Sequence, residues 1–313
     1  MKPFLSKQYA KIITTASVVI LLFNNTANAQ INSDYSQYMD NLTPVNAAYS
    51  LLDKAGSLNT VVRKQFTGIP GAPTTVLFNA NLPVESIGGT IGAIVKNDGI
   101  GNQNLTDVNL FFAKSVQLTT QNFLAVSLNA GVRRFVVDNT SLSPYADPTF
   151  PYDVRETRPN LGFGVMFYSS KYYIGLSLPT LTINQLGSSE TDNNNTNFRS
   201  TYYLTGAYLA TLNEDVKFKP ATLIAVTNSL PVRVNVSGTF YLKEMLGLGA
   251  NYLRDGDGSQ FAGIVSFNFS SVRLGYSYQF SGASSGLVVA NNAIHEVTLN
   301  YRFGNTSGTP KLL

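Results

Sequence analysis

Between residues 271 and 280 the chain reads SVRLGYSYQF. Successive side chains of an extended strand point to opposite faces. Val272, Leu274, Tyr276, Tyr278 and Phe280 therefore share one face, and Ser271, Arg273, Gly275, Ser277 and Gln279 the other. The same alternation returns in about fourteen segments, near 59–67, 74–82, 87–97, 105–118, 122–136, 159–169, 171–179, 198–212, 216–227, 231–243, 245–254, 260–269, 271–280 and 294–303. A soluble β-sandwich and a membrane barrel both use this pattern, in opposite senses.

Composition separates them. Charged residues are 13% of the chain, against roughly 25% in an ordinary soluble domain. Hydrophobic residues are 44%, an ordinary share, so Asn, Ser, Thr and Gly replace charge. A ten-residue strand tilted near 45° rises roughly 24 Å, the height of an outer-membrane apolar band. Arg133, Arg233, Arg273 and Arg302 lie on the polar faces. Facing lipid at the midplane, each would cost about 2–4 kcal/mol. In a watery lumen they stay hydrated. The expected fold is all-β: an antiparallel transmembrane β-barrel of about 14 strands, polar face inward, with a short irregular N-terminal segment. Tight connections near Ser169–Lys171, Glu244 and Ser270 contrast with long polar ones at 137–158, 183–197 and 281–293. Short turns at one end and long loops at the other fit that fold.

Lys2, Lys7 and Lys11, the apolar run Ile12–Phe23 and Ala27-Asn28-Ala29 form a signal-peptide pattern, with cleavage expected near Ala29. The expected division is a signal peptide over 1–29, a periplasmic or luminal segment over 30–57, the barrel over 58–303 and a tail over 304–313. The expected location is the outer membrane of a Gram-negative cell. Signal lysines contribute three of the 22 basic residues against 18 acidic ones, so the mature chain is near neutral and its charge argues for no nucleic-acid partner.

Little catalytic material is present. Cysteine is absent and His295 is the single histidine, so a triad or metal site has one anchor at most. Arg254–Gln260 carries Asp255 and Asp257 but lacks the remaining ligands and closing Glu of a calcium loop. The glycines of 88–101 follow no phosphate-loop pattern. The acids Asp138, Asp147, Asp153 and Glu156 lie in a loop, where solvation is the default reading. We expect no enzyme activity, cofactor or metal.

Three stretches carry a more specific signal: YSQYMDNLTPVNAAY (Tyr35 to Tyr49), VVRKQFTGIPGAPTT (Val61 to Thr75) and the glycine-rich run from Gly88 to Val116. With the closing His295–Phe303, they resemble the PorP/SprF family of the type IX secretion system in Bacteroidetes. Ala47 stands where that family usually has Pro, Phe66 where it has Trp, and ten residues follow Phe303. The resemblance implies an outer-membrane barrel that assists secretion or surface attachment of large cargo, such as gliding adhesins. It implies as partners the periplasmic ring lipoprotein with its associated proteins, the C-terminal domain of secreted cargo, and outer-membrane lipid. The motif residues expected to bind partners are Ser36, Gln37, Tyr38, Met39, Asn46, Tyr49, Arg63, Lys64, Gln65, Gly68, Gly71 and Pro73. The alternative is a passive, porin-like diffusion channel.

Overall fold

The structure is a computed structural model that describes residues 35–52, 55–140, 152–183, 198–256, 258–281 and 293–304. The strands are β1 (Gly56–Gln65), β2 (Thr74–Val84), β3 (Gly89–Ile100), β4 (Gln103–Gln117), β5 (Phe123–Val137), β6 (Val154–Tyr168), β7 (Tyr172–Thr182), β8 (Thr201–Tyr208), the two-residue β9 (Ala210–Thr211), β10 (Val216–Thr227), β11 (Arg233–Leu242), β12 (Leu246–Asp255), β13 (Gly258–Phe269), β14 (Val272–Ser281) and β15 (Ile294–Phe303). Each pairs antiparallel with its neighbour, and β1 pairs with β15 to close the sheet. Strands β8 and β9 both pair with β10 and occupy one wall position, so the barrel has fourteen strands. The break falls at Leu209, whose N–H turns to the Lys171 carbonyl at 2.6 Å, just before β7 starts.

Closure leaves no unpaired sheet edge, which lipid requires, because nothing in hydrocarbon can satisfy free backbone groups. The burial pattern is that of a soluble protein turned inside out. Along β5, Leu124, Val126 and Leu128 are exposed, Leu128 at 57%, while Ala125, Ser127 and Asn129 are buried. The opening stretch obeys the same sense: Arg273 is buried and Tyr276 exposed. Arg133 and Arg233 are buried too, and Arg302 is half-buried. Replacing Leu128 by Arg should therefore destabilise the barrel by about 2–4 kcal/mol. The check is a urea titration of folded and unfolded gel mobility in lipid.

Connections 85–88, 118–122, 169–171, 212–215, 243–245 and 270–271 lie at the end where β1 begins and β15 finishes. The opposite end carries 66–73, 138–153, 183–200 and 282–293 along with three shorter links. By this asymmetry the first end is periplasmic and the second faces the cell surface. Residues 1–29, expected to form a signal peptide, lie outside the described residues, as do Asp147, Asp257 and residues 305–313.

The apolar core sits inside the barrel. Residues 35–52 carry Tyr35, Tyr38, Met39, Leu42, Val45, Ala48 and Leu52, all buried. They pack on the inward side chains Val61, Leu77, Ala125, Met166, Tyr173, Leu223 and Tyr241. The segment lacks strand periodicity because it makes no ladder. Its one regular element is a 3-10 turn, Ala47–Leu51, capped by Asn46, whose side chain accepts from the Ala48 N–H at 3.1 Å. Ala47 takes the first position of that turn, which proline suits equally.

Candidate functional site

The plug formed by residues 35–52 is held by charge at two places. The first is Glu296 on β15, which is 1% exposed. Backbone N–H groups of Ser36 and Gln37 donate to its Oε2 and Oε1 at 2.8 and 2.9 Å, and Gln37 Nε2 donates to Oε1 at 3.2 Å. Arg63 on β1, 3% exposed, brings its guanidinium within 3.6 Å of Oε2. Register explains the pairing, since Arg63 lies directly opposite Glu296. A buried carboxylate needs both an opposite charge and hydrogen-bond donors. Glu296 takes the charge from the wall and the donors from the plug. Around it, Ser36 Oγ donates to Gln279 Oε1 at 3.0 Å and Asn251 Nδ2 donates to the Ser36 carbonyl at 3.1 Å.

The second latch reverses the polarity. Asp40 of the plug receives Arg273 at 2.8 Å and the Tyr241 hydroxyl at 2.9 Å, and Lys219 Nζ lies 4.0 Å away. Lys219 is fully buried and donates to the Met39 carbonyl at 2.7 Å. Arg273 and Tyr241 stand near the short-turn ends of β14 and β11, so this latch lies toward the periplasm. Asp40→Asn removes the one plug carboxylate from two wall cations. It should lower stability by about 3 kcal/mol, the scale for breaking a buried pair. A fall in the temperature at which the folded gel band converts to the unfolded one is the expected readout.

Glycines thin the wall where plug amides approach it. Asn46 Nδ2 donates to the carbonyls of Val165 and Leu176 at 3.1 and 3.3 Å. It can reach them because Gly164 and Gly175 lie beneath it; a Cβ at Gly164 would overlap Asn46 Oδ1. Gly275 does the same for Gln37, whose Oε1 occupies the space a Cβ would need. Tyr38 is 1% exposed and donates from its hydroxyl to the Asn235 carbonyl at 3.3 Å. Burial pushes its phenol well above the ordinary value, so it stays a neutral donor. Met39 is fully buried, and the Tyr49 ring meets Tyr173 edge-on at 5.5 Å.

The motif residues thus fall into two groups. Ser36, Gln37, Tyr38, Met39, Asn46 and Tyr49 belong to the plug. Lys64, Gln65, Gly68, Gly71 and Pro73 lie on the β1–β2 hairpin at the long-loop rim, where Gly68 and Gly71 adopt φ of 102° and 73°. Gly71 accepts from the Gly101 N–H at 2.8 Å, which ties this hairpin to the next one. Arg63 joins the groups through Glu296. Glu296, Asp40, Lys219 and Tyr241 stand out by no motif of their own in the sequence. The signal available for Glu296 was a lone acid on the polar face of the last strand, a position otherwise filled by neutral or basic groups. Of the acids expected in the loop, part-buried Asp153 bonds Thr140 and Arg155 locally, whereas Glu156 lies in β6, which starts at Val154 and so takes in part of the expected loop, and it pairs with Arg158 at 3.0 Å. His295 faces outward, away from the plug.

A family model described as type IX secretion system membrane protein PorP/SprF matches residues 27–301. Among solved structures, the CymD monoaromatic hydrocarbon channel is similar at 11% identity, with 90% of this chain and 96% of that one covered and a TM-score of 0.51. Omp33 of Acinetobacter baumannii is 8% identical over 80% of this chain and 99% of its own, with a TM-score of 0.47. At such identity the likeness to CymD speaks for the fold alone. Among curated proteins nothing matches.

Proposed function

The chain belongs to the PorP/SprF family of type IX secretion system membrane proteins, and on that premise we propose that it assists secretion or surface attachment of large cargo by contacts rather than by conduction. The observation that carries this reading is the filled lumen: residues 35–52 bond to wall strands on all sides, from β2 through β6, β7, β10, β11 and β12 to β14 and β15. A passive diffusion channel needs a continuous water path, and a segment latched at two charged points opposes one. The barrel then works as an outer-membrane scaffold. Its partners are the periplasmic ring lipoprotein with its associated proteins and the C-terminal domain of the cargo. Most of the N-terminal motif is buried, so the plug offers a partner chiefly Pro44, Tyr49 and Leu51, which are part-exposed. Further contact with Ser36–Met39 requires the segment to leave the lumen.

The test is a pull-down of the tagged chain from its own outer membrane, with and without residues 35–49. The intact chain should bring down the ring lipoprotein and cargo C-terminal domain. The shortened one should lose them while its barrel still shows heat-modifiable migration. Equal recovery from both would remove the segment from partner binding.

A further inference from the structure

The dipeptides Arg63-Lys64 and His295-Glu296 are paired in register, Arg63 opposite Glu296 and Lys64 opposite His295. Alternation sends the first pair inward to the plug and the second outward. Lys64 is exposed and makes no ion pair among the described residues. His295 stands beside two tyrosines of β14: Tyr278, opposite it in register with ring centroids 5.3 Å apart, and Tyr276, whose hydroxyl is 2.9 Å from Nδ1. We propose that Lys64, His295, Tyr276 and Tyr278 form a binding site for the phosphate group of a lipid headgroup in the cell-surface leaflet.

Position, charge and chemistry agree on that occupant. Lys64 is the last but one residue of β1 and His295 the second of β15, both at the long-loop end. One step toward the midplane on the same face lie Val62 and Val297, opposite each other and 41% and 51% exposed. The polar row therefore caps an apolar one, where hydrocarbon gives way to headgroups. Tyrosines favour that boundary, and a lysine stem lies along apolar surface while its ammonium reaches out. Directly opposite side chains sit about 4.5–5.5 Å apart at Cβ, close enough for one phosphate to bridge them. Where Tyr276 donates to Nδ1, the Nε2–H is left as a donor, and Lys64 supplies the compensating charge.

The wall's charges are sorted to match. Strand carboxylates Asp98, Asp107, Glu156, Asp255 and Glu296 all have inward positions. At the long-loop end the outward strand positions instead carry Arg134, Arg155 and Arg254 besides Lys64 and His295. An outward face with cations and no strand carboxylate at this rim fits an anionic headgroup layer.

Because the chain has a single histidine, labelling its imidazole at Cε1 yields one resonance with no assignment problem. The full mature chain, purified without a histidine tag in neutral detergent, is titrated with phosphorylated lipid A, with enzymatically dephosphorylated lipid A and with inorganic phosphate. The His295 resonance should move in saturable fashion with phosphorylated lipid A alone, and Lys64→Gln should weaken that response at least tenfold. An equal response to dephosphorylated lipid A, or to inorganic phosphate, would overturn the proposal. So would an unchanged titration in Lys64→Gln. Lys64 is exposed and makes no contact with the plug, so the variant should fold.

Discussion

Deleting residues 35–49 should turn a closed barrel into a conducting one. The intact chain in a planar bilayer is expected to show no large steady conductance. The shortened chain should open a stable pore. The wall does not depend on the plug for its backbone hydrogen bonds: every strand but the two-residue β9 is paired on both sides and the ladder closes on itself. What the deletion removes is Tyr35, Tyr38, Met39, Leu42, Val45 and Ala48, the apolar filling of the lumen. It leaves wall groups that water solvates readily, including Asn79, Ser177, Asn251, Arg273 and Glu296. Stability should fall, because buried apolar contacts are lost, yet heat-modifiable migration should persist. A shortened barrel that folds but stays silent would show that other residues close the path.

The second large effect is expected at Glu296→Gln. The substitution keeps shape and one acceptor but removes the charge facing Arg63. Both side chains are almost fully buried, at 3% and 1% exposure, so little solvent screens the loss. Breaking a buried pair by removing one partner typically costs about 3–5 kcal/mol, whereas removing both together is far milder. Glu296→Gln should therefore destabilise the folded chain more than the double change Arg63→Gln with Glu296→Gln, measured as urea midpoints in lipid. Both should loosen the plug, because the N–H groups of Ser36 and Gln37 lose a charged acceptor. Faster cleavage of the N-terminal segment by added protease, with the barrel band intact, is the expected sign. If the single and double variants prove equally stable, the Arg63–Glu296 attraction is not what holds that corner.

These two experiments probe the parts of the molecule that were least legible beforehand. The walls were legible in detail. The segment expected at 216–227 is strand Val216–Thr227 and that at 294–303 is Ile294–Phe303. The first strand begins at Gly56, two residues before the expected barrel start, because Gly56 and Ser57 still pair with Phe303 and Arg302. The inward sense of Arg133, Arg233 and Arg273 followed from the cost of a guanidinium in hydrocarbon. The span expected at 198–212 is instead two pieces, since β8 ends level with the start of β7 at the Tyr172–Tyr208 pair and Leu209 then turns to a loop carbonyl.

Alternation is a local property, written every second residue, and with the low charge and the arginines on the polar faces it let the sequence alone specify a barrel with polar groups inside and lipid outside. The N-terminal segment has no such period, so nothing in its own residues said whether it would hang in the periplasm or enter the lumen. That was decided by contacts between positions far apart in the chain. Glu296 reaches the N–H of Ser36 across 260 positions of sequence, Lys219 reaches the Met39 carbonyl across 180, and glycines on separate strands open room for Asn46 and Gln37. Only closing the sheet brings those groups to one axis, where burial makes each unpaired charge or amide costly enough to hold the segment in place.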